Sequence, residues 1–282
     1  MTHILYNPIS NCGKNIDETL ETLESILKNE EINFVNLIEN IDMKWLFDTF
    51  SPSDDVIIVG GDGTLNVMVN KLGEYEIKNK LYLYKAGTGN DFLRDVEERG
   101  ETSDFVQVNK YIKNLPVVTV NDKQYRFINN VGFGIDGMVC TAAEDLKEKG
   151  KTDINYTTLA IKLLLTKYKK CNAKVTVDGK VHKFKGVWLA PVMNGKYYGG
   201  GMMPCPQQDR EGDTLSCCLI HDTTALRTLM IFPSIFKGEH IKSKKKVTLL
   251  SGKEFTVEFS APQDVQIDGE IIRGVTKISA TK

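Results

Sequence analysis

Asp55-Val-Ile-Ile-Val-Gly-Gly-Asp-Gly-Thr-Leu65 runs an apolar strand, Val56 to Val59, directly into three glycines, an aspartate and a threonine. The loop from Gly60 to Thr64 carries little side-chain bulk, so its backbone N–H groups can close on an anion. The helix that follows, Leu65 to Leu72, points its positive end at the same place. This is the composition of a phosphate cradle. Asp62 is its odd member, because a carboxylate facing a polyphosphate repels it by roughly 4 kcal/mol per charge pair at about 4 Å in an effective dielectric of about 20. Asp62 therefore reads as a metal partner or as the base that takes a proton from the group attacking the phosphate. Its structural reading is a helix N-cap, since Asp and Thr both cap well.

Upstream, Ile4 to Tyr6 ends at Asn7-Pro8, and Ile16, Leu20, Leu23 and Leu27 then recur at helical spacing before a short strand around Phe34 to Leu37. A helix near Met43 to Phe50 leads through Pro52 to the glycine loop, and a strand at Leu81 to Tyr84 follows. Such alternation predicts a parallel sheet with helices on both faces, whose ligands collect beyond the carboxyl ends of the strands. Three loops qualify there: Asn7-Pro8-Ile9-Ser10-Asn11, Gly60 to Thr64, and Ala86-Gly-Thr-Gly-Asn-Asp91. After Leu115-Pro116 the pattern becomes short alternating segments with hairpin signals at Asn121-Asp122 and Asp178-Gly179. Helices near Tyr156 to Tyr168 and Ala225 to Phe236 interrupt it. The expectation is an α/β domain over residues 1–115 and an antiparallel, sandwich-like β-rich domain over 116–274, with the strand at about 275–282 free to return to the first. A cleft between the two would hold the active site.

Composition narrows the partners. With 36 basic and 37 acidic side chains the net charge is -1, which supplies no global attraction for nucleic acid. The six cysteines show neither Cys-x-x-Cys spacing nor the framework of a small secreted fold, so they read as reduced thiols. Met1 to Tyr6 reads as a strand rather than a leader, and no apolar run is long enough to span a bilayer. A cytoplasmic protein is expected, able to lie peripherally on the inner membrane surface.

Three motif matches mislead. Gly132-Phe-Gly-Ile-Asp-Gly137 satisfies the dinucleotide fingerprint and the protein-kinase glycine pattern, but it lies in the strand-rich half without a βαβ unit or the other kinase elements, so a close-packed turn is expected. Gly150-Lys-Thr152 lacks the first P-loop glycine, having Asp145 there. Asn155-Tyr-Thr157 fits a glycosylation acceptor that a chain without a secretion signal does not use.

Gly60-Gly-Asp-Gly-Thr-Leu-Asn66, with Lys85-Ala-Gly-Thr-Gly-Asn-Asp-Phe92, resembles the catalytic domain of the diacylglycerol and sphingosine kinase superfamily, soluble bacterial lipid kinases above all. Phe127-Ile-Asn-Asn-Val-Gly-Phe-Gly-Ile-Asp136, Tyr198-Gly-Gly200 and Asp268-Gly-Glu270 extend the resemblance over nearly the whole chain. It implies a two-domain lipid kinase using ATP and Mg2+. The nucleotide would be held by Asn7 to Asn11, by Gly60, Gly61, Gly63, Thr64, Leu65 and Asn66, and by Thr88, Gly89, Asn90 and Asp91. Glu270 would match the proton acceptor, and Asp213 with the carbonyls of Arg210 and Leu215 a structural magnesium site. The chain departs from the family at Val67, where glutamate is frequent, and at Asp213-Thr-Leu215, which replaces Asp-Gly-Leu.

Phosphoryl transfer needs a phosphate cradle, a magnesium and a positioned nucleophile. Asp62 would orient the metal or the hydroxyl and Glu270 would take the proton, or the reverse. Diacylglycerol is the expected lipid substrate, reached by transient contact with a membrane surface through the apolar stretch Thr223 to Phe236 and the lysines at 242 and 244 to 246. A homodimer is compatible with the sequence. The rivals are an NAD kinase, which shares the Gly-Gly-Asp-Gly-Thr loop, and a regulatory module that binds ATP without turnover.

Overall fold

The computed structural model describes residues 1–8, 16–37, 41–85, 90–101, 103–151 and 154–282. The chain divides into two compact units, Met1–Leu115 and Pro116–Lys282.

In the first unit the elements follow in the order β1 (Thr2–Tyr6), α1 (Ile16–Ile26), β2 (Ile32–Asn36), α2 (Met43–Thr49), β3 (Asp55–Gly60), α3 (Asp62–Leu72), β4 (Lys80–Lys85), α4 (Asp91–Glu97), β5 (Phe105–Gln107) and α5 (Asn109–Ile112). The strand order is β2-β1-β3-β4-β5. All pairings are parallel except the last, where β5 runs antiparallel to β4. The central strand β3 is apolar on both faces because helices cover both. Ile57 and Val59 join Ile4 and Leu23 in one buried cluster, with Leu20 and Leu27 of the first helical stretch packed against it. Val56 and Ile58, pointing the other way, are fully buried as well. Register places Tyr6 beside Val59, Val59 beside Tyr84 and Gly60 beside Lys85. The carboxyl ends of β1, β3 and β4 therefore lie side by side, while residues 9–15 and 86–89 of the phosphate loops expected there lie outside the described residues.

The second unit contains β6 (Val117–Val120), β7 (Lys123–Arg126), β8 (Asn130–Phe133), α6 (Ile135–Glu148), α7 (Tyr156–Thr166), β9 (Cys171–Val177), β10 (Lys180–Val187), β11 (Val192–Met193), β12 (Leu215–Ile220), α8 (Ala225–Ile235), β13 (Val247–Gly252), β14 (Glu254–Ile267) and β15 (Glu270–Thr281). They form a ten-stranded antiparallel sheet along the path β13-β12-β11-β8-β14-β15-β6-β7, with β9 joining β14 to β10. Val118 of β6 and Cys217 of β12 lie far apart on that path, yet both belong to one buried cluster with Phe133, Val175, Phe255 and Val265. The sheet thus turns its apolar faces toward one another, as a sandwich does. A second cluster packs α6, α7 and α8 around Trp188, Leu189 and Ile220.

Two expectations change. The strand at 275–282 does not return to the first unit. It is the end of β15, hydrogen-bonded to β14 along one edge and to β6 along the other, because alternate apolar residues Val275, Ile278 and Ala280 are buried in the second unit's core. The glycine-rich stretch at 132–139 is the end of a strand and the first turns of a 14-residue helix, α6, that periodicity did not announce. Gly137 accounts for both appearances: a Cβ there would stand 1.8 Å from the Asp264 carbonyl oxygen, so the helix can lie on the backbone of β14 only without a side chain at that point.

Candidate functional site

Asp62 is the first residue of α3, and its carboxylate caps a different helix. Its Oδ2 accepts the backbone N–H of Asp91 at 3.0 Å and that of Phe92 at 3.3 Å, the first two residues of α4. A negative charge at that end of α4 accepts the leading N–H groups and meets the positive end of the helix. The carboxylate that looked awkward beside a phosphate is thus held by α4, and it fastens the start of that helix to the β3–α3 turn. N-capping explains Asp62 in part, but the helix it caps lies about thirty residues downstream.

Gly61, which has no side chain to cap with, occupies the cap position of α3, and the first helical bond runs from Leu65 N–H to the Gly61 carbonyl at 3.2 Å. Among the described residues nothing beyond its own helix backbone and chain neighbours lies within 4 Å of where a Gly63 Cβ would stand, whereas a Cβ on Gly60 would strike Thr64 and one on Gly61 would press on Asn90 Oδ1 at 3.2 Å. The loop is bare toward its open side and tight toward its neighbours, which fits the polyphosphate of a nucleotide. Thr64, Leu65 and Asn66 are buried and anchor the first turn of α3. Asn7, Pro8, Asn90 and Asp91 border the same edge. Ile9, Ser10, Asn11, Thr88 and Gly89 lie outside the described residues.

In the second unit Asp268 and Gly269 form the β14–β15 turn with φ of +47° and +100°, the left-handed pair of a tight hairpin. The Asp268 carboxylate accepts three consecutive backbone N–H groups: Ile128 at 2.5 Å, Asn129 at 2.8 Å and Asn130 at 2.9 Å. The next residue, Glu270, is exposed. The carbonyl side of the same segment is held too, since Ile128 O accepts Asn194 Nδ2 at 2.8 Å and an Arg210 guanidinium N–H at 3.3 Å. Arg210 also donates to Asn129 Oδ1 at 2.8 Å. Sequence nominated Arg210 for its carbonyl alone; its buried guanidinium is the larger contribution.

Asp136, in the first turn of α6, is buried and accepts the Tyr198 hydroxyl at 2.9 Å, while its Oδ2 has no hydrogen-bond partner among the described residues. Burial pushes this carboxyl up to about 7 against the opposing pull of the Tyr198 hydrogen bond. The five motifs of the sequence therefore meet in pairs: Asp62 with Asp91 and Phe92, Asp268 with residues 128–130, and Asp136 with Tyr198.

The residues nominated for a structural magnesium do not fit one. Asp213 is 78% exposed and ion-paired to Lys253 at 2.6 Å. The Arg210 carbonyl accepts the Lys282 ammonium at 2.9 Å, and the Leu215 carbonyl accepts Ser251 Oγ at 3.2 Å. Among the described residues no three acidic, histidine or cysteine side chains converge as metal ligands.

Comparison with known proteins agrees with this arrangement. Residues 1–121 match the family described as the diacylglycerol kinase catalytic domain, and residues 129–279 the YegS C-terminal NAD kinase beta sandwich-like domain. A Staphylococcus epidermidis protein provisionally named a lipid kinase is 27% identical over 281 residues, covering 95% of this chain and 85% of that one. YtlR of Bacillus subtilis, also provisionally named a lipid kinase, is 25% identical over 236 residues, covering 77% of this chain and 74% of its own. A Bacillus anthracis crystal structure provisionally titled a diacylglycerol kinase superposes with a TM-score of 0.70 at 21% identity, over 99% of this chain and 93% of that one, and so shares the fold. The chain belongs to the YegS-type diacylglycerol kinase family, carrying that family's catalytic domain followed by its C-terminal domain.

Proposed function

We propose that the protein transfers the γ-phosphoryl group of ATP to the hydroxyl of diacylglycerol, yielding phosphatidic acid and ADP. The observation that carries this reading is the glycine-lined start of α3, whose neighbouring carboxylate is held by α4. The N–H groups of the β3–α3 loop would hold the phosphates, and Asn7, Asn90 and Asp91 stand at the same sheet edge. Mg2+ arriving with ATP would neutralise charge on the phosphate oxygens. The substrate oxygen attacks the γ-phosphorus as the bond to the ADP oxygen breaks, and the hydroxyl proton passes to a carboxylate. Glu270 is suited to accept it, being exposed and next to a turn that Asp268 fixes, while Asp62 positions the phosphate loops.

A lipid substrate calls for a lipid-facing surface, and α8 offers one. Leu226 and Met230, one helical turn apart, are 66% and 67% exposed, with Phe236 beyond them and exposed Lys237, Lys244 and Lys245 nearby. Lys246 does not contribute, since Asp222 holds its ammonium. This stripe would rest on an anionic bilayer, each basic residue adding about 1 kcal/mol. No helix among the described residues is long and apolar enough to cross a membrane. Equal pelleting of wild type and a Leu226→Ser, Met230→Ser pair with phosphatidylglycerol vesicles would remove the surface from the proposal.

The deciding assay supplies γ-labelled ATP and Mg2+ with diacylglycerol micelles or with NAD. Label in phosphatidic acid is expected, with Asp62→Asn much slower while folded. Label in NADP alone, or in neither product, overturns the assignment.

A further inference from the structure

Four carbonyls of the turn from Asp209 to Leu215 accept hydrogen bonds from the chain's own groups. Gln208 is buried, and its amide donates to the carbonyls of Asp209 at 3.2 Å and Thr214 at 2.9 Å, closing the turn across its base. The same amide reaches Asn194 O at 3.3 Å. Gly212 N–H adds a second bond to the Asp209 carbonyl at 3.1 Å. The Arg210 carbonyl is taken by Lys282 and the Leu215 carbonyl by Ser251. A magnesium ion needs about six oxygen ligands in near-octahedral array. Here the carbonyls at 209, 210, 214 and 215 already accept hydrogen bonds, and the carboxylate of Asp213 points to solvent and Lys253.

Lys282 Nζ sits where a cation is useful. It donates to Asn194 Oδ1 at 2.5 Å and to Arg210 O at 2.9 Å, and these two residues grip Ile128 O from their other ends. The backbone places the ammonium there, because Lys282 N–H bonds to Lys253 O at 3.0 Å just past β15. An ammonium has three donors and no acceptor, which suits a point where oxygens converge.

We infer that the Lys282 ammonium, rather than a divalent cation, is the charge that fastens the 209–215 turn to the segment at 128–130. Burial and the neighbouring Arg210 guanidinium push Lys282 down to about 8, so at neutral pH the ammonium is a built-in cation that chelators cannot remove, and through Asn194 and Arg210 it steadies the backbone that Asp268 grips beside Glu270.

The test is thermal melting of the nucleotide-free full chain in excess EDTA and in millimolar MgCl2. Wild type should melt alike in both solutions. Lys282→Met, which keeps length and removes charge, should melt about 3–6 °C lower in both. Asp213→Ala should match wild type in both. A rise of several degrees with MgCl2 in wild type that disappears in Asp213→Ala overturns the inference, as does a Lys282→Met protein that melts like wild type. If Lys282→Met does not fold, the wild-type and Asp213→Ala pair still decides.

Discussion

Asp62 and Asp268 are both aspartates beside glycine, and both spend their carboxylates on backbone N–H groups of another segment, yet the surroundings differ. Asp62 receives the two leading N–H groups of α4 and ties the start of that helix to the β3–α3 turn, where the described residues leave room beside Gly63. Asp268 receives three N–H groups from residues 128–130, inside a hairpin whose φ values only a few residue types tolerate. One acid holds a helix start beside a glycine-lined turn; the other fixes a turn so that the following residue, Glu270, stands out. A motif aspartate can serve chemistry by holding backbone in place while its neighbours meet the substrate.

The sharpest way to break the comparison is Glu270→Gln. If the exposed acid takes the proton, turnover should fall by about 10²–10⁴-fold with melting unchanged, as read by steady-state phosphatidic acid formation. Next is Asp268→Ala, which strands three N–H groups and should lower the unfolding free energy by about 3 kcal/mol in a urea titration. A loss under about 1 kcal/mol would make Asp268 a mere turn residue. Third is Asp136→Asn. The folded carboxyl titrates near about 7 and the unfolded one near 3.8, so the folded state keeps a proton that the unfolded chain has released. Stability from this group is full below the lower value and is lost as pH rises toward the upper. Asparagine removes that slope, shrinking the difference in unfolding free energy between about pH 5 and 7 by about 2 kcal/mol. Smallest is the contrast at Asp62: alanine should cost about 1 kcal/mol of stability, whereas asparagine, still an acceptor for α4, should cost less.

The glycine loops and the parallel sheet were legible because they are local. Bare backbone at a strand exit is written in consecutive residues such as Gly60 to Thr64, and the hairpins announced themselves at Asn121-Asp122 and Asp178-Gly179, whose aspartates and Asn121 all adopt positive φ. α6 was hidden because Gly132, Gly134 and Gly137 dominate its start, although Val139, Ala142, Ala143 and Leu146 carry a helical period. The cap from Asp62 to α4 and the grip of Asp268 on residue 128, 140 positions away, are tertiary events. So is the capture of the Arg210 carbonyl by Lys282. No local pattern states which oxygen a distant ammonium will find.

The long strand β14 has a consequence for how the chain is made. It pairs with β9 at Phe255 to Phe259, with β8 at Val265 to Ile267 and with β15 along most of its length. Until it leaves the ribosome, β8 and β9 lack a shared neighbour, so their apolar faces have little to close against. The first unit draws its contacts from 115 residues and can consolidate during synthesis, whereas the second waits for almost the entire chain. Chaperone dependence and truncation products should therefore concentrate in the second unit, with β14 as the latch.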